Sequence, residues 1–217
     1  SSVFAEWQKI MRAFDDAGEQ QNSIDQFFRY YLLATGTNTV QGKKAPKEMD
    51  ARIRYKDREQ TQPRDVEERR AEANRIWGEI QIYAQTWINL LQPPTDFTED
   101  CTYHLQILRK VSDNYRVLLL NVFSPTLNVS DEKRAEISRL CVVLTMRWYM
   151  NGQGAQDLES AFQQMGARFL SDKDPDDLIA KMREKADIAP PLEARFKEGV
   201  SGFAKAILHG IDRTLAQ

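Results

Sequence analysis

The segment from Ser130 to Gly152 is the most apolar long stretch of the chain that has a clear start and a clear stop. Ser130 is a residue type that caps helices, and Asn151-Gly152 is typical of a helix end. Between them, apolar residues recur at helical spacing and spread beyond one face. The sequence therefore predicts a core helix. Its apolar residues are Ile137, Leu140, Cys141, Val143, Leu144, Met146, Trp148 and Met150.

One cationic residue, Arg147, lies on or beside this apolar stripe. A guanidinium in that position has to be hydrogen-bonded, because burying an unpaired charge is costly. The least costly partners are a carboxylate or the carbonyl groups at the end of a neighbouring helix. We therefore interpret Arg147 as a structural residue that fixes how helices meet, with ligand binding as the alternative.

A second long helix is predicted to begin at about Asp65, or at Pro63, and to end at Pro93-Pro94. Trp77 and Trp87 lie on its apolar face, and both are expected to pack inward as structural residues.

Further helix starts are predicted at Thr98 or Asp100, at Asp174-Pro175 and at Ser201. No segment shows sustained alternation with a period of two, which would indicate strands. We therefore predict an all-α fold, an irregular bundle of about nine or ten helices. The prediction is a single helical domain over residues 1–217, with a sub-boundary near 92–97 as an alternative and a mobile charged loop or arm at 35–64.

The stretch from Lys43 to Arg70 carries ten basic and seven acidic residues. Such a stretch could contact phosphates without reading sequence, or it could simply be a solvated face. Arg109, Lys110 and Arg116 form a smaller cluster with the same two interpretations. The residues that we single out for nucleic-acid contact are Lys43, Lys44, Lys47, Arg52, Arg54 and Lys56.

Composition excludes several other functions. A net charge of −2 gives no global attraction to nucleic acid or membrane. The two cysteines, one in the core stripe, indicate buried free thiols and a cytoplasmic protein.

We see no signal peptide and no run long enough to span a bilayer, so no membrane partner is expected. His104 and His209 lack metal-site spacing, so we predict no metal, no cofactor and no catalytic residue.

Several patterns resemble the helical region that follows the nucleotidase domain in GmrSD-type modification-dependent restriction endonucleases and related phage-defence proteins. The resembling pieces are Asn22-Ser-Ile-Asp-Gln-Phe-Phe-Arg-Tyr-Tyr-Leu-Leu33, the Trp77 to Pro93 helix, Leu144-Thr-Met-Arg-Trp-Tyr-Met-Asn-Gly152 with Leu158 and Phe162, and Phe203-Ala-Lys-Ala-Ile-Leu-His-Gly-Ile-Asp-Arg213, which resembles the helix preceding the nuclease domain. Neither the Asp-Gly-Gln-Gln-Arg-type motif of the family's ParB-like domain nor its His-Asn-His nuclease motif occurs in this sequence.

The resemblance implies a noncatalytic module that connects these two domains and contacts the DNA backbone, with the flanking domains as partners. Arg147 matches an arginine in the corresponding helix of the family, and the resemblance implies no catalytic role for it. The alternative is a stand-alone helical adaptor that binds another protein. A third and weaker hypothesis is an all-α hydrolase, which would need a cleft with clustered acids.

Overall fold

The computed structural model describes residues 3–16, 22–36, 45–56, 62–150 and 153–187. Within these ranges the chain forms nine α-helices and no strand, which confirms the predicted all-α multi-helix bundle. The helices are α1 Val3–Asp16, α2 Asn22–Ala34, α3 Ala45–Arg54, α4 Val66–Leu91, α5 Glu99–Val111, α6 Arg116–Val122, α7 Asp131–Met150, α8 Ala155–Asp172 and α9 Pro175–Asp187. The helix predicted after Ser201 lies outside the described residues.

Three helix starts follow directly from local side-chain chemistry. The first amide groups of a helix have no partner within it, so a preceding side-chain oxygen stabilises the start. Asp65 accepts from the Glu68 amide at 2.8 Å, while Glu68 accepts from the Asp65 amide at 3.0 Å, a complete capping box. Thr98 accepts from the Cys101 amide at 3.2 Å. Asp174 likewise accepts from the amides of Asp176 and Asp177, the second and third residues of α9.

Helix α7, the predicted core helix, packs against α5 and α9. Ile137, Leu140, Cys141 and Leu144 are buried, as their spacing indicates. Trp148 is only half-buried, because it lies near the end of the helix, where α8 and α9 leave an opening.

The two tryptophans of α4 differ in environment. Trp87 is fully buried, and its ring contacts those of Phe14, Phe27 and Tyr30 with centroid distances of 6.4, 5.8 and 5.8 Å. Trp77 is half-buried near α1, and its indole Nε1 donates to Glu6 at 3.2 Å. The aromatic cluster around Trp87 therefore holds α1, α2 and α4 together.

A buried polar chain connects helices on the two sides of the Pro93-Pro94 turn. The Tyr83 hydroxyl of α4 donates to Asn121 of α6 at 2.8 Å, and the Asn121 amide donates to the Ala34 carbonyl at the end of α2 at 3.0 Å. Asn121 is completely buried. Helix α8 approaches it closely at Gly166, where an added Cβ would lie 3.4 Å from the Asn121 amide nitrogen. Helices α2, α4, α6 and α8 thus share one core.

Candidate binding cleft between α7, α8 and α9

A cleft of about 530 Å³ lies between α7, α8 and α9. Its apolar lining comes from residues four apart on α7 and on α8, a spacing that places side chains on one face of a helix. The pairs are Leu144 with Trp148, and Met165 with Phe169, and Leu178 of α9 completes the floor. All of these except Trp148 are largely buried. The floor is therefore a continuation of the core, with one indole at its edge.

Arg147 lines this cleft and ties α7 to α9. Its Nη1 donates to the carbonyl of Ala186 in the last turn of α9. The last carbonyls of a helix have no partner within the helix and carry the negative end of its dipole, so a guanidinium is well matched to them. A carbonyl of this kind is one of the two partners that we expected for Arg147, and the bond fixes the end of α9.

Ion pairs fasten α9 to both of its neighbours. Arg168 of α8 lies 3.1 Å from Asp177 of α9 and 3.2 Å from Asp172 of its own helix. On the other side, Lys133 of α7 lies 2.6 Å from Asp176, and Arg183 pairs with Glu136. These pairs are partly exposed, so each contributes at most about 1 kcal/mol. Together they orient α9 rather than determine its stability.

The charges that line the cleft balance. Four basic side chains, Arg147, Arg168, Lys181 and Lys185, face four acidic ones, Asp172, Asp174, Asp177 and Glu184. A balanced rim gives no field that would attract a polyanion. An apolar floor with a mixed polar rim is the arrangement found at protein–protein contacts. The cleft is therefore suited to an amphipathic peptide or helix.

The basic residues singled out for nucleic-acid contact lie elsewhere, on and after α3. Arg52 donates to the Thr35 hydroxyl at 2.8 Å and to the Leu32 carbonyl at 3.4 Å, which attaches α3 to the end of α2. Arg54 pairs with Asp50 at 2.7 Å, and Lys56 pairs with Glu68 at 2.8 Å. Acidic neighbours thus lower the local positive field. The role of this set in nucleic-acid binding stays a prediction.

The same stretch contains short-range structure in its described part. Arg64 donates to the carbonyls of Arg52 and Tyr55 at the end of α3, and Tyr55 pairs with Pro63 in an isolated antiparallel bridge. Lys47 is exposed on α3. Two of the predicted contact residues, Lys43 and Lys44, lie outside the described residues.

Arg116 is a buried cation, and the sequence analysis did not predict its environment. We grouped it with Arg109 and Lys110 as a surface cluster, and for Arg116 this is wrong, because only 4% of it is exposed. Its guanidinium lies 4.4 Å from the centroid of the Trp87 ring and 2.8 Å from Asp113. The available signal was the run Val-Leu-Leu-Leu that follows it, which is buried on every side.

The titratable groups most often used as nucleophiles are held in their neutral forms. Burial raises the pKa of the Cys101 thiol to about 11, and it raises the pKa of Cys141 far above the usual range. Both cysteines are free and buried, as predicted. Burial also lowers the pKa of His104.

In the described ranges, no three His, Cys, Asp or Glu side chains come together as a metal site. Every helix there is too short or too polar to cross a lipid bilayer.

Comparisons with known proteins give no match for this chain among family models, curated proteins or solved structures. The resemblance to GmrSD-type proteins therefore stays a prediction.

Proposed function

We propose that this chain is a noncatalytic helical module of a GmrSD-like DNA-restriction or phage-defence protein, acting in the cytoplasm to couple a nucleotidase domain to a nuclease domain. The hydrogen bond from Arg147 to the Ala186 carbonyl is the observation that carries the proposal. It fixes the end of α9, from which the chain continues toward the segment that resembles the helix preceding the nuclease domain.

Coupling of this kind requires helices that move as a unit. Helix α7 packs along both α5 and α9, and the pairs Lys133–Asp176 and Arg183–Glu136 add polar contacts to the α7–α9 interface. Because a close-packed core transmits displacements instead of absorbing them, a shift of α7 would move α9 with it. The Arg147 bond extends this linkage to the final turn of α9.

Side-chain chemistry supports the noncatalytic part of the proposal. Cys101 and Cys141 keep their protons at neutral pH and are buried, so neither offers a thiolate to a substrate. Free thiols also suit a reducing compartment.

Contact with the DNA backbone is the second element of the proposal. Lys47, Arg54 and Lys56 are exposed on and after α3, and Lys43 and Lys44 precede this helix in sequence. Their interaction with phosphates would be independent of base sequence and sensitive to salt. Arg52 would act mainly by holding α3 against α2.

A stand-alone protein-interaction adaptor is the other candidate, and the α7–α8–α9 cleft favours it. Its apolar floor and balanced rim are features of surfaces that bind an amphipathic helix. Such an adaptor would use the cleft in trans and would need no flanking domains.

The reading frame of the parent gene tests the proposal. Coding regions for a ParB-like domain before this segment and for a His-Asn-His domain after it would support the coupling module. A frame without either region would contradict the coupling module and favour the adaptor.

A further inference from the structure

The charges that line the α7–α8–α9 cleft balance as a whole, but they are separated along α9. The end of the cleft where α9 begins carries three acids and one base, Asp172, Asp174, Asp177 and Arg168. The end where α9 finishes carries one acid and three bases, Glu184, Arg147, Lys181 and Lys185. The formal charge is therefore −2 at the first end, three acids against one base, and +2 at the second, three bases against one acid. A ligand with one positive and one negative end matches this arrangement.

The negative end of the cleft is suited to an ammonium group. Asp172 and Asp177 share a single guanidinium, that of Arg168, at 3.2 and 3.1 Å, so one negative charge is left over. Asp174 accepts from the backbone amides of Asp176 and Asp177. Because the ion pairs of Arg168 are partly exposed and such pairs are weak, an incoming ammonium group could share the two carboxylates without a large cost.

The positive end is suited to a carboxylate. Arg147 donates to the Ala186 carbonyl, which is a neutral partner, so this hydrogen bond leaves the positive charge in place. Lys185, in the last turn of α9, has no ion-pair partner among the residues that the structure describes. Trp148 follows Arg147 on α7 and lines the same cleft with a half-buried indole. This end therefore offers positive charge together with one apolar ring.

The distance between the two ends sets the length of the ligand. Asp177 and Lys185 are eight positions apart on α9, which corresponds to about 12 Å along the helix. An extended peptide spans about 3.4 Å per residue, so roughly four residues cover this distance. The cleft volume of about 530 Å³ is typical of small-ligand sites. Phe169 and Leu178 are only 2% and 4% exposed, so the chain itself covers them, and the apolar part of the ligand would contact the Trp148 indole.

We propose that the α7–α8–α9 cleft binds a short peptide of about four residues with two free ends. Its amino group lies between Asp172 and Asp177, its carboxylate lies at Lys185, and its central apolar side chains contact the indole of Trp148. The proposal goes beyond the proposed function, since a coupling module and an adaptor could both carry such a site. It gives the cleft a ligand class and a binding direction, with the amino end of the peptide at the start of α9.

Isothermal titration calorimetry of the full chain tests the proposal. The probe is the peptide Gly-Leu-Leu-Gly with free ends, compared with the same peptide acetylated at its amino end and with the same peptide amidated at its carboxyl end. We expect the free peptide to bind and each modification to raise Kd about fivefold, the effect of losing one exposed ion pair. No detectable binding at millimolar peptide, or equal binding of the free and modified peptides, would overturn the proposal.

Two variants test where each end of the peptide lies. Lys185→Gln should remove the effect of amidation and keep that of acetylation, whereas Asp172→Asn should remove the effect of acetylation and keep that of amidation. Arg70→Gln, which changes an exposed residue of α4 outside the cleft, is the matched control and should keep both effects. Effects of the two modifications that are the same in all three variants would place the peptide outside the cleft and overturn the proposal.

Discussion

Replacing Asn121 with alanine should destabilise the fold more than replacing any exposed polar residue. Asn121 is completely buried and connects the Tyr83 hydroxyl, at 2.8 Å, with the Ala34 carbonyl, at 3.0 Å. Its removal leaves a buried donor and a buried acceptor without this partner, at about 1–3 kcal/mol each, and opens a small cavity. We expect a loss of about 3–5 kcal/mol, a large share of the roughly 5–15 kcal/mol that stabilises a domain.

A double-mutant cycle with Tyr83→Phe separates the hydrogen bond from the cavity. Tyr83→Phe alone should cost about 1–1.5 kcal/mol, but in the Asn121→Ala background it should cost almost nothing, because the hydroxyl has already lost its partner. Urea unfolding followed by circular dichroism gives the four free energies, with Asn89→Ala, on the exposed face of α4, as the control.

Two results would refute this reasoning. An Asn121→Ala cost below about 1 kcal/mol would mean that the buried chain does not stabilise the fold. Strictly additive costs would mean that the two side chains do not interact. The cycle also tests the domain prediction, because Tyr83 precedes Pro93-Pro94 and Asn121 follows it. Two separate unfolding transitions would indicate that the halves fold independently.

Three other predictions concern Arg147, alkaline pH and DNA. Arg147→Ala should lower stability by about 1.5 kcal/mol and Tm by roughly 3–6 °C, measured by calorimetry, while Arg168→Ala should change Tm little because its ion pairs are exposed; a wild-type melt for Arg147→Ala would contradict its structural role. Burial raises the pKa of Cys101 to about 11 and that of Tyr83 to about 12, so the folded chain keeps protons that the unfolded chain loses above pH about 9. The free energy of unfolding should therefore fall between about pH 9 and about pH 12. A urea midpoint that stays constant over this pH range would contradict the prediction. If the basic set contacts DNA, replacing Lys43, Lys44 and Lys47 with glutamate should weaken DNA binding in low salt. The slope of the logarithm of the binding constant against the logarithm of the salt concentration should then fall in magnitude by about 3. An unchanged electrophoretic mobility shift would contradict DNA binding by this set.

Sequence patterns predicted the features that depend on neighbouring residues. The starts of α4, α5 and α9 follow from Asp65, Thr98 and Asp174, since capping involves residues two or three positions apart. Where the sequence allowed two alternatives, at Asp65 or Pro63 and at Thr98 or Asp100, the cap geometry selected one.

Features that depend on tertiary packing were outside the reach of sequence reasoning. In the sequence, Arg116 has the features of a surface cation. In the structure, its guanidinium lies over the Trp87 ring of α4. Trp148 fits the core stripe by spacing, but the cleft leaves it half-buried. The cleft itself combines residues of three helices, and the pairing of α7 with α9 cannot be obtained from the period of either helix. For the same reason, sequence reasoning could limit the partner of Arg147 to a carboxylate or a helix-end carbonyl but could not identify the Ala186 carbonyl.

The most direct test of the central claim uses the longer polypeptide that the proposed coupling module implies. It compares wild type with Arg147→Ala and with the control Gln106→Ala, which changes an exposed residue of α5 away from the cleft. Nucleotide hydrolysis and nucleotide-stimulated DNA cleavage are measured on the same preparations, with circular dichroism to verify folding. The account predicts that Arg147→Ala retains nucleotide hydrolysis while its stimulated DNA cleavage falls at least tenfold, and that Gln106→Ala retains both activities. Unchanged cleavage in a folded Arg147→Ala protein, or a parent polypeptide with neither activity, would contradict it.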